Sequence, residues 1–300
     1  MNCIICSSLR LSETIWGGYS FKGQKYTIIR CANCGFMFLN PFPEKYILNE
    51  IYEKDSYFDN YYAASTGIKN YIDGMTDCNV QHARVIDFIK NYKKKGSLLD
   101  IGCAAGGFLL NAKNSGYDIY GIEPNKRMAD YAKDKLGLNV ICGTMDDINS
   151  LGKSFDVIHA GDVLEHLADL KKDMEIIKNL LSYDGILVIN QPLSYNRSLY
   201  NLFLKINMLF KKNRYSQNPP AHLWEFNSST IIKFLENAGF TVIYCNIFET
   251  PSRPITIYKN PGVKNRVSCK IKNFSRVVSN MPVLKRFCLG DRALIVCRKR

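Results

Sequence analysis

Asp100 closes an apolar run and stands just before a turn of small residues, Gly102, Cys103, Ala104 and Gly106, in the stretch Leu98–Leu109, LLDIGCAAGGFL. Turns that bind dinucleotides space their glycines G-x-G-x-x-G, so that backbone N–H groups and a helix N-terminus meet a pyrophosphate. Here two glycines stand four apart, Ala104 lies between them and an acid precedes them. A carboxylate beside two phosphates repels them, whereas it suits an ammonium group and a sulfonium. The turn therefore predicts a cationic cofactor without phosphates, S-adenosylmethionine (SAM). Glu123 strengthens that expectation: it ends the run YDIYGIE seventeen residues after Gly106, beside Pro124, where a carboxylate can accept both ribose hydroxyls. In CGTMDDI, Asp146 is placed to accept from the adenine amine with Met145 against the ring, while N-capping by Asp146 and Asp147 is the competing reading. Gly161 and Asp162, which end the run FDVIHAGD, complete the predicted cofactor set.

A second constellation lies at the N-terminus. Cys3 and Cys6, then Cys31 and Cys34, form two C-x2-C pairs separated by 24 residues. Two knuckles of this kind can place four thiolates tetrahedrally around one Zn2+, and a closed four-thiolate shell marks a structural metal. Four unrelated buried thiols are the plainer alternative. A redox pair is disfavoured, because neither C-x2-C sits in a strand–helix unit of the thioredoxin kind.

The elements that must position these groups follow from periodicity. Residues 1–43 read as a zinc ribbon ending at Pro41 and Pro43, and residues 44–95 as a helical, aromatic-rich connector in which Tyr57, Tyr61 and Tyr62 could stack on sugar faces or bury against the core. From residue 96 to 300, short apolar runs alternate with helical stretches, which predicts an α/β fold with a parallel sheet covered on both faces. The runs FTVIYCNIF and RALIVCRKR, separated by a basic excursion over 250–290, are expected to pair antiparallel at the sheet edge. Residues 192–226 form an inserted segment, and within it 197–215 is apolar with a cationic end, suited to a lid buried against the sheet or to a membrane interface.

On these motifs the chain resembles class I SAM-dependent methyltransferases, through LLDIGCAAGGFL, GIEPN, FDVIHAGDVLEHL and GILVINQP. The resemblance implies a Rossmann-like, seven-stranded, mostly parallel sheet with one antiparallel edge strand, and SAM across the strand ends. Ala104 departs from it, since the family often has glycine there. The segment CANCGFMFLNPFP followed by YFDNYY resembles the zinc-binding segment joined to methyltransferases of bacterial surface-polysaccharide and sugar-modification pathways. That favours a carbohydrate acceptor.

Methyl transfer to a hydroxyl calls for a base, and histidine is the natural one near neutral pH. Of four histidines, His159 sits inside an apolar strand and reads as structural, and His82 lies in a helix well before the turn. His222, in NPPAHLWEF where the resemblance places an H-x-W/Y-x-F segment, is the first candidate base, with Trp224 and Glu225 shaping the acceptor pocket. His166, in DVLEHL, is the second; its alternative is a structural place in a helical turn. Asp162, Glu165 and His166 also make a D-x-x-E-H cluster similar to the metal-binding pattern of some quinone O-methyltransferases, which gives Mg2+ as a further candidate. The Asn218-Pro-Pro turn lies far downstream of strand four and ends in Ala221, so base-amine chemistry is disfavoured.

Composition bounds the rest. The chain has 300 residues, 46% of them apolar, enough for a substantial core. No signal-like block opens it and no run approaches a membrane span, and four paired and seven scattered cysteines suit a reducing compartment; a cytoplasmic location follows. The net charge of +13 is concentrated: residues 251–300 hold thirteen Lys and Arg against the single acid Asp291. Such a tail can meet anionic lipid, a phosphorylated substrate or nucleic acid, or be a solvated face. The favoured function is methyl transfer to a hydroxyl of a sugar, nucleotide-sugar or glycolipid precursor. The alternatives are an RNA guanine methyltransferase with a zinc ribbon and a sugar C-methyltransferase. RNA is disfavoured because the basic tail is poor in aromatic residues.

Overall fold

A computed structural model describes residues 2–52, 58, 71–72, 75–252 and 263–300; Tyr57, Tyr61 and Tyr62 lie outside these described residues. The chain opens on an antiparallel meander, β1 (Leu11–Phe21), β2 (Gln24–Cys31) and β3 (Met37–Asn40). Lys22 and Gly23, both with positive φ, make the two-residue turn between the first two strands, matching the twist of a hairpin. The helices α1 (Lys45–Tyr52) and α2 (Met75–Ile89) follow.

Strand and helix then alternate. The order is β4 (Ser97–Ile101), α3 (Gly107–Asn114), β5 (Asp118–Glu123), α4 (Lys126–Asp130) running into a wider turn at Tyr131–Lys135, and β6 (Val140–Cys142). Next come α5 (Met145–Asn149), β7 (Phe155–Gly161), a 3-10 turn at Leu164–His166, α6 (Leu170–Leu180) and β8 (Leu181–Pro192). After α7 (Leu199–Leu209), β9 (Tyr215–Ser216) and β10 (Trp224–Glu225), the chain closes with α8 (Ser228–Asn237), β11 (Phe240–Phe248), α9 (Val263–Ser279), α10 (Pro282–Lys285) and β12 (Arg292–Lys299).

Seven strands form one sheet in the order β11-β12-β8-β7-β4-β5-β6. Neighbours from β8 to β6 are parallel, and β12 runs antiparallel to both β8 and β11. The expected antiparallel pair at the sheet edge is present, but the antiparallel strand is not itself the edge. β12 slots between β8 and β11, because the basic excursion returns the chain along the inner side of β11. Alternate residues point to opposite faces, as a pleated strand requires. Leu98, Val157 and Val188 join Ile86, Ile89 and Leu109 on one face, while Leu99, Ile158 and Ile189 join Met174, Ile177 and Ile231 on the other.

The N-terminal sheet has five strands, in the order β10-β3-β2-β1-β9. Its outer strands come from the inserted segment, so residues 192–226 do not stand apart: Tyr215 and Ser216 pair with Gly18 and Tyr19, and Trp224 and Glu225 pair with Phe38 and Met37. Trp224, expected to shape the acceptor pocket, thus has a packing role in this sheet. It is buried against Phe36, Phe38 and Phe42, and its Nε1 donates to the Leu167 carbonyl at 2.7 Å, joining this sheet to the turn after β7.

Candidate functional site

The order in which strands are added reverses between β4 and β7: β5 and β6 are added on one side and β7 and β8 on the other. Ligands of open α/β sheets bind in the crevice outside the carboxyl ends of the strands at such a point. The turn after β4 lies there. Gly102 and Gly106 have φ of +66° and +85°, and an added Cβ would stand 2.9 Å from Val163 Cγ2 at the first and 2.5 Å from Leu138 Cδ1 at the second. The left-handed backbone and these close side chains explain glycine at both places. Ala104 takes a left-handed φ of +46° between them. Cys103 gives the turn only its backbone, since its buried side chain packs towards Gly121 in β5.

Two buried acids face this turn. Glu123 ends β5; its Oε2 accepts from the Ala104 N–H and its Oε1 from the Asn125 N–H, each at 2.8 Å. Burial pushes its carboxyl up to about 7, even though these two donors favour the charged form, and nearby Asp100 adds to the rise. A carboxylate oxygen has two lone-pair sites, so each retains capacity for a hydroxyl donor. Asp100 is 2.7 Å from His159 Nδ1, and the His159 ring stacks on Phe108 at 3.8 Å. His159, expected as a structural residue, is thus the group that orients Asp100. The signal lay in the parallel register, which sets Asp100 beside His159 across β4 and β7.

The remaining predicted cofactor residues are placed less uniformly. Pro124 is exposed beside Glu123, and Met145 is buried at the start of α5. Asp147 supplies the helix cap, its Oδ2 accepting from the Thr144 N–H at 2.7 Å, while Asp146 is exposed and paired with Lys172 at 2.7 Å. Gly161 ends β7, and Asp162 turns with φ +56° into an ion pair with Arg292 of β12.

On the acceptor side the fold gathers residues from three segments. Ligand atoms of Glu165, His166 and His222 all lie within 4.8 Å of one another. Asp162, the first member of the D-x-x-E-H pattern, is drawn off to Arg292, and His222 takes its place in the cluster. His166 Nδ1 lies 2.8 Å from the Ala221 carbonyl and 3.0 Å from the Tyr52 hydroxyl. That carbonyl fixes the tautomer with a proton on Nδ1. Glu165 Oε2 accepts from Gln191 Nε2 at 3.1 Å, whereas the buried Oε1 has no hydrogen-bond partner among the described residues.

The charges in this cluster are set by burial and by each other. Burial pushes Glu165 up to about 7, Asp162 adds to the rise and His222 opposes it. Burial and the charge on His222 push His166 down to about 3 despite the Ala221 carbonyl. Burial alone would lower His222, but Glu225, 3.5 Å from its Nδ1, together with Glu165 and Asp162 raises it to about 9. These directions oppose a charge on His166 and favour one on His222, which leaves the Glu165 carboxylate as a third candidate proton acceptor beside the two histidines.

Cys3, Cys6, Cys31 and Cys34 also converge, with Sγ···Sγ distances of 3.5 Å for Cys3–Cys34 and 3.6 Å for Cys6–Cys31, and with all four within 4.8 Å. A disulfide would bring two sulfurs to about 2.05 Å, whereas a tetrahedron with metal–sulfur bonds of about 2.3 Å sets them about 3.8 Å apart. Burial raises the Cys3 and Cys34 thiols, whereas hydrogen bonds from the Ser8 N–H, Asn33 and neighbouring thiols bring Cys6 down to about 6 and backbone donors lower Cys31. The four fit a thiolate-bound ion.

Residues 79–244 match the family model described as a methyltransferase domain. The chain belongs to that family. The match supports an enzyme that uses SAM. Among curated proteins, this methyltransferase is 29% identical over 114 residues to a ubiquinone biosynthesis O-methyltransferase of Azorhizobium caulinodans, covering 36% of this chain and 44% of that one. It is 31% identical over 116 residues to an uncharacterized methyltransferase of Alkaliphilus oremlandii, covering 36% and 53%. The chain thus spans about half the length of these relatives. The human mitochondrial ubiquinone biosynthesis O-methyltransferase is 24% identical over 255 residues, 77% of this chain and 66% of that one. Among solved structures, the magnesium protoporphyrin IX methyltransferase of Synechocystis PCC 6803 with bound SAH superposes with a TM-score of 0.53 at 16% identity, over 85% of this chain and 100% of that chain. At that identity it supports the fold alone.

Proposed function

We propose that this methyltransferase transfers the methyl group of SAM to a hydroxyl of a sugar, nucleotide-sugar or glycolipid precursor. The observation that carries O-methylation is Glu165: buried, held up to about 7 and unpartnered at Oε1, it is set to take a proton from a hydroxyl near neutral pH. SAM supplies an electrophilic methyl group on a sulfonium. Asp100, oriented by His159, would face the cationic part of such a cofactor, and Glu123, held by the Ala104 N–H, would accept from its ribose. The His222 imidazolium, held by Glu225, supplies positive charge where the acceptor oxygen becomes anionic. Neutral His166, fixed by the Ala221 carbonyl, orients the acceptor. The ubiquinone O-methyltransferases among the relatives support oxygen as the atom modified. The carbohydrate class rests on the resemblance of the N-terminal cysteine segment to that of sugar-modifying methyltransferases. That segment is proposed to hold one structural Zn2+ on Cys3, Cys6, Cys31 and Cys34.

One observation favours a second reading of the same cluster. Glu165 Oε1 without a donor, beside His166 and His222, is the donor set expected around a divalent cation, which would lower the pKa of an acceptor hydroxyl. Purified protein incubated with methyl-labelled SAM and separate panels of nucleotide-sugars, glycolipids, phenols and RNA tests the acceptor. Label on a sugar oxygen supports the proposal, whereas label on carbon, on a phenol or on guanine replaces it. Loss of activity in EDTA that Mg2+ restores selects the cation reading.

A further inference from the structure

No helix among the described residues is long and apolar enough to cross a membrane, yet two helices carry their apolar residues outwards. α9 is built inside out. Its buried face is Lys272, Ser275 and Ser279, while Phe274 is 63% and Val277 is 60% exposed. A helix on a soluble domain normally buries the apolar stripe and exposes the polar one. α7 follows suit: Asn201 is its one buried residue, and Leu202, Ile206 and Leu209 stand half exposed along one stripe that ends at Phe210, 83% exposed. The expectation that this segment buries itself wholly against the sheet end is therefore not met.

The two helices form one face. The Tyr200 N–H donates to Ser275 Oγ at 3.1 Å, the Tyr200 and Ser268 hydroxyls are 3.1 Å apart, and Lys272 Nζ lies 4.7 Å from the Tyr200 ring centroid. Lys272 also pairs with Glu249 at 2.9 Å and with Asp291, which pins α9 beside the end of β11. This is the carboxyl edge of the sheet, the edge that bears the cofactor turn. The face is also free of acids in sequence: no Asp or Glu occurs between residues 197 and 221 or between 250 and 290. Around the apolar stripes stand Lys205, Lys211 and Lys212 on one side and Arg266, Lys270 and Arg276 on the other, all exposed.

We propose that the α7–α9 face docks on an anionic lipid bilayer. Large aliphatic and Phe side chains gain by entering the acyl boundary, and an acid-free cationic surround is attracted to anionic headgroups. Phe210 and Phe274 offer rings on which bases stack, but Leu202, Ile206, Leu209, Val267 and Val277 around them gain only from an apolar phase, which favours the bilayer over RNA. Docking in this way presents the carboxyl edge, and with it the mouth of the site, to the membrane. The inference stands on the surface alone and holds whichever acceptor is methylated.

Sedimentation of the full chain with vesicles of phosphatidylcholine, with and without phosphatidylglycerol, at low and high salt tests it. The expected result is co-sedimentation with the anionic vesicles at low salt, weakened by high salt and absent with neutral vesicles. Phe210→Glu with Phe274→Glu should reduce the partition coefficient at least about tenfold. Lys211→Gln with Lys212→Gln should reduce it by a smaller factor without touching the apolar stripe. An unchanged thermal midpoint shows that the variants fold. Protein that stays in the supernatant with anionic vesicles overturns the proposal, and so does equal binding by both folded variants. Binding to RNA or self-association that these variants abolish, without vesicle binding, assigns the face to that partner instead and likewise overturns it.

Discussion

Glu123 ties the cofactor to pH. An unfolded chain releases this proton near 4.5, whereas burial holds it to about 7 in the folded protein. Between those values the folded state binds the proton and the unfolded state does not, so this carboxyl lowers stability as pH rises through the window. At 1.36 kcal/mol per unit, the cost reaches about 3 kcal/mol above pH 7. Ribose hydroxyls donating to the charged form offset part of that cost, so SAM should bind more tightly when Glu123 is ionised. From pH 8 to pH 6 the ionised fraction falls about tenfold, and the dissociation constant should rise by about that factor. Glu123→Gln keeps the shape but faces one amide NH2 towards a backbone donor, at Ala104 or Asn125, and removes the charge. A hydrogen bond to a charged group contributes about 1.5–3 kcal/mol, so the variant should bind SAM at least about tenfold more weakly at pH 8 and lose the pH dependence. Calorimetric titration at pH 6, 7 and 8, in two buffers of different ionisation enthalpy, measures affinity and protons released together. A folded Gln variant with wild-type affinity, or a wild-type affinity that is flat with pH, would refute the reasoning.

Glu165 at about 7 and His222 at about 9 predict a bell-shaped pH–rate profile: the rate rises as Glu165 loses its proton and falls as His222 loses its own. Glu165→Gln should remove the acidic limb along with most of the activity. Elemental analysis of protein purified without chelator should find one zinc per chain, and changing Cys3, Cys6, Cys31 and Cys34 to Ser should abolish it. Trp224→Ala should destabilise by about 3–5 kcal/mol through the cavity left among Phe36, Phe38 and Phe42, read as a lower denaturant midpoint.

The placement of the two acids expected to hold the cofactor was legible in one dimension because its parts are local. Asp100 and Glu123 each end an apolar run at a turn, and adjacent parallel strands necessarily bring such ends together. The four cysteines were legible for the same reason, since each pair spans a single knuckle and one meander joins the two. The acceptor side could not be read in this way. Tyr52, Glu165, His166 and His222 meet only because α1, the turn after β7 and the approach to β10 fold onto one another, and Tyr52 lies 114 residues from His166. Asp162 left the cluster for Arg292 across 130 residues, a partner that no spacing rule reaches. The direction in which each histidine shifts depends on burial and on charges from distant segments, so only tertiary packing could rank His166 against His222. The outward face of α9 was hidden for a further reason. Amphipathic patterning tells which residues share a side of a helix, but the side that meets the protein is decided by what waits there, and here it is Glu249, Asp291 and Tyr200 that draw Lys272 and Ser275 inwards.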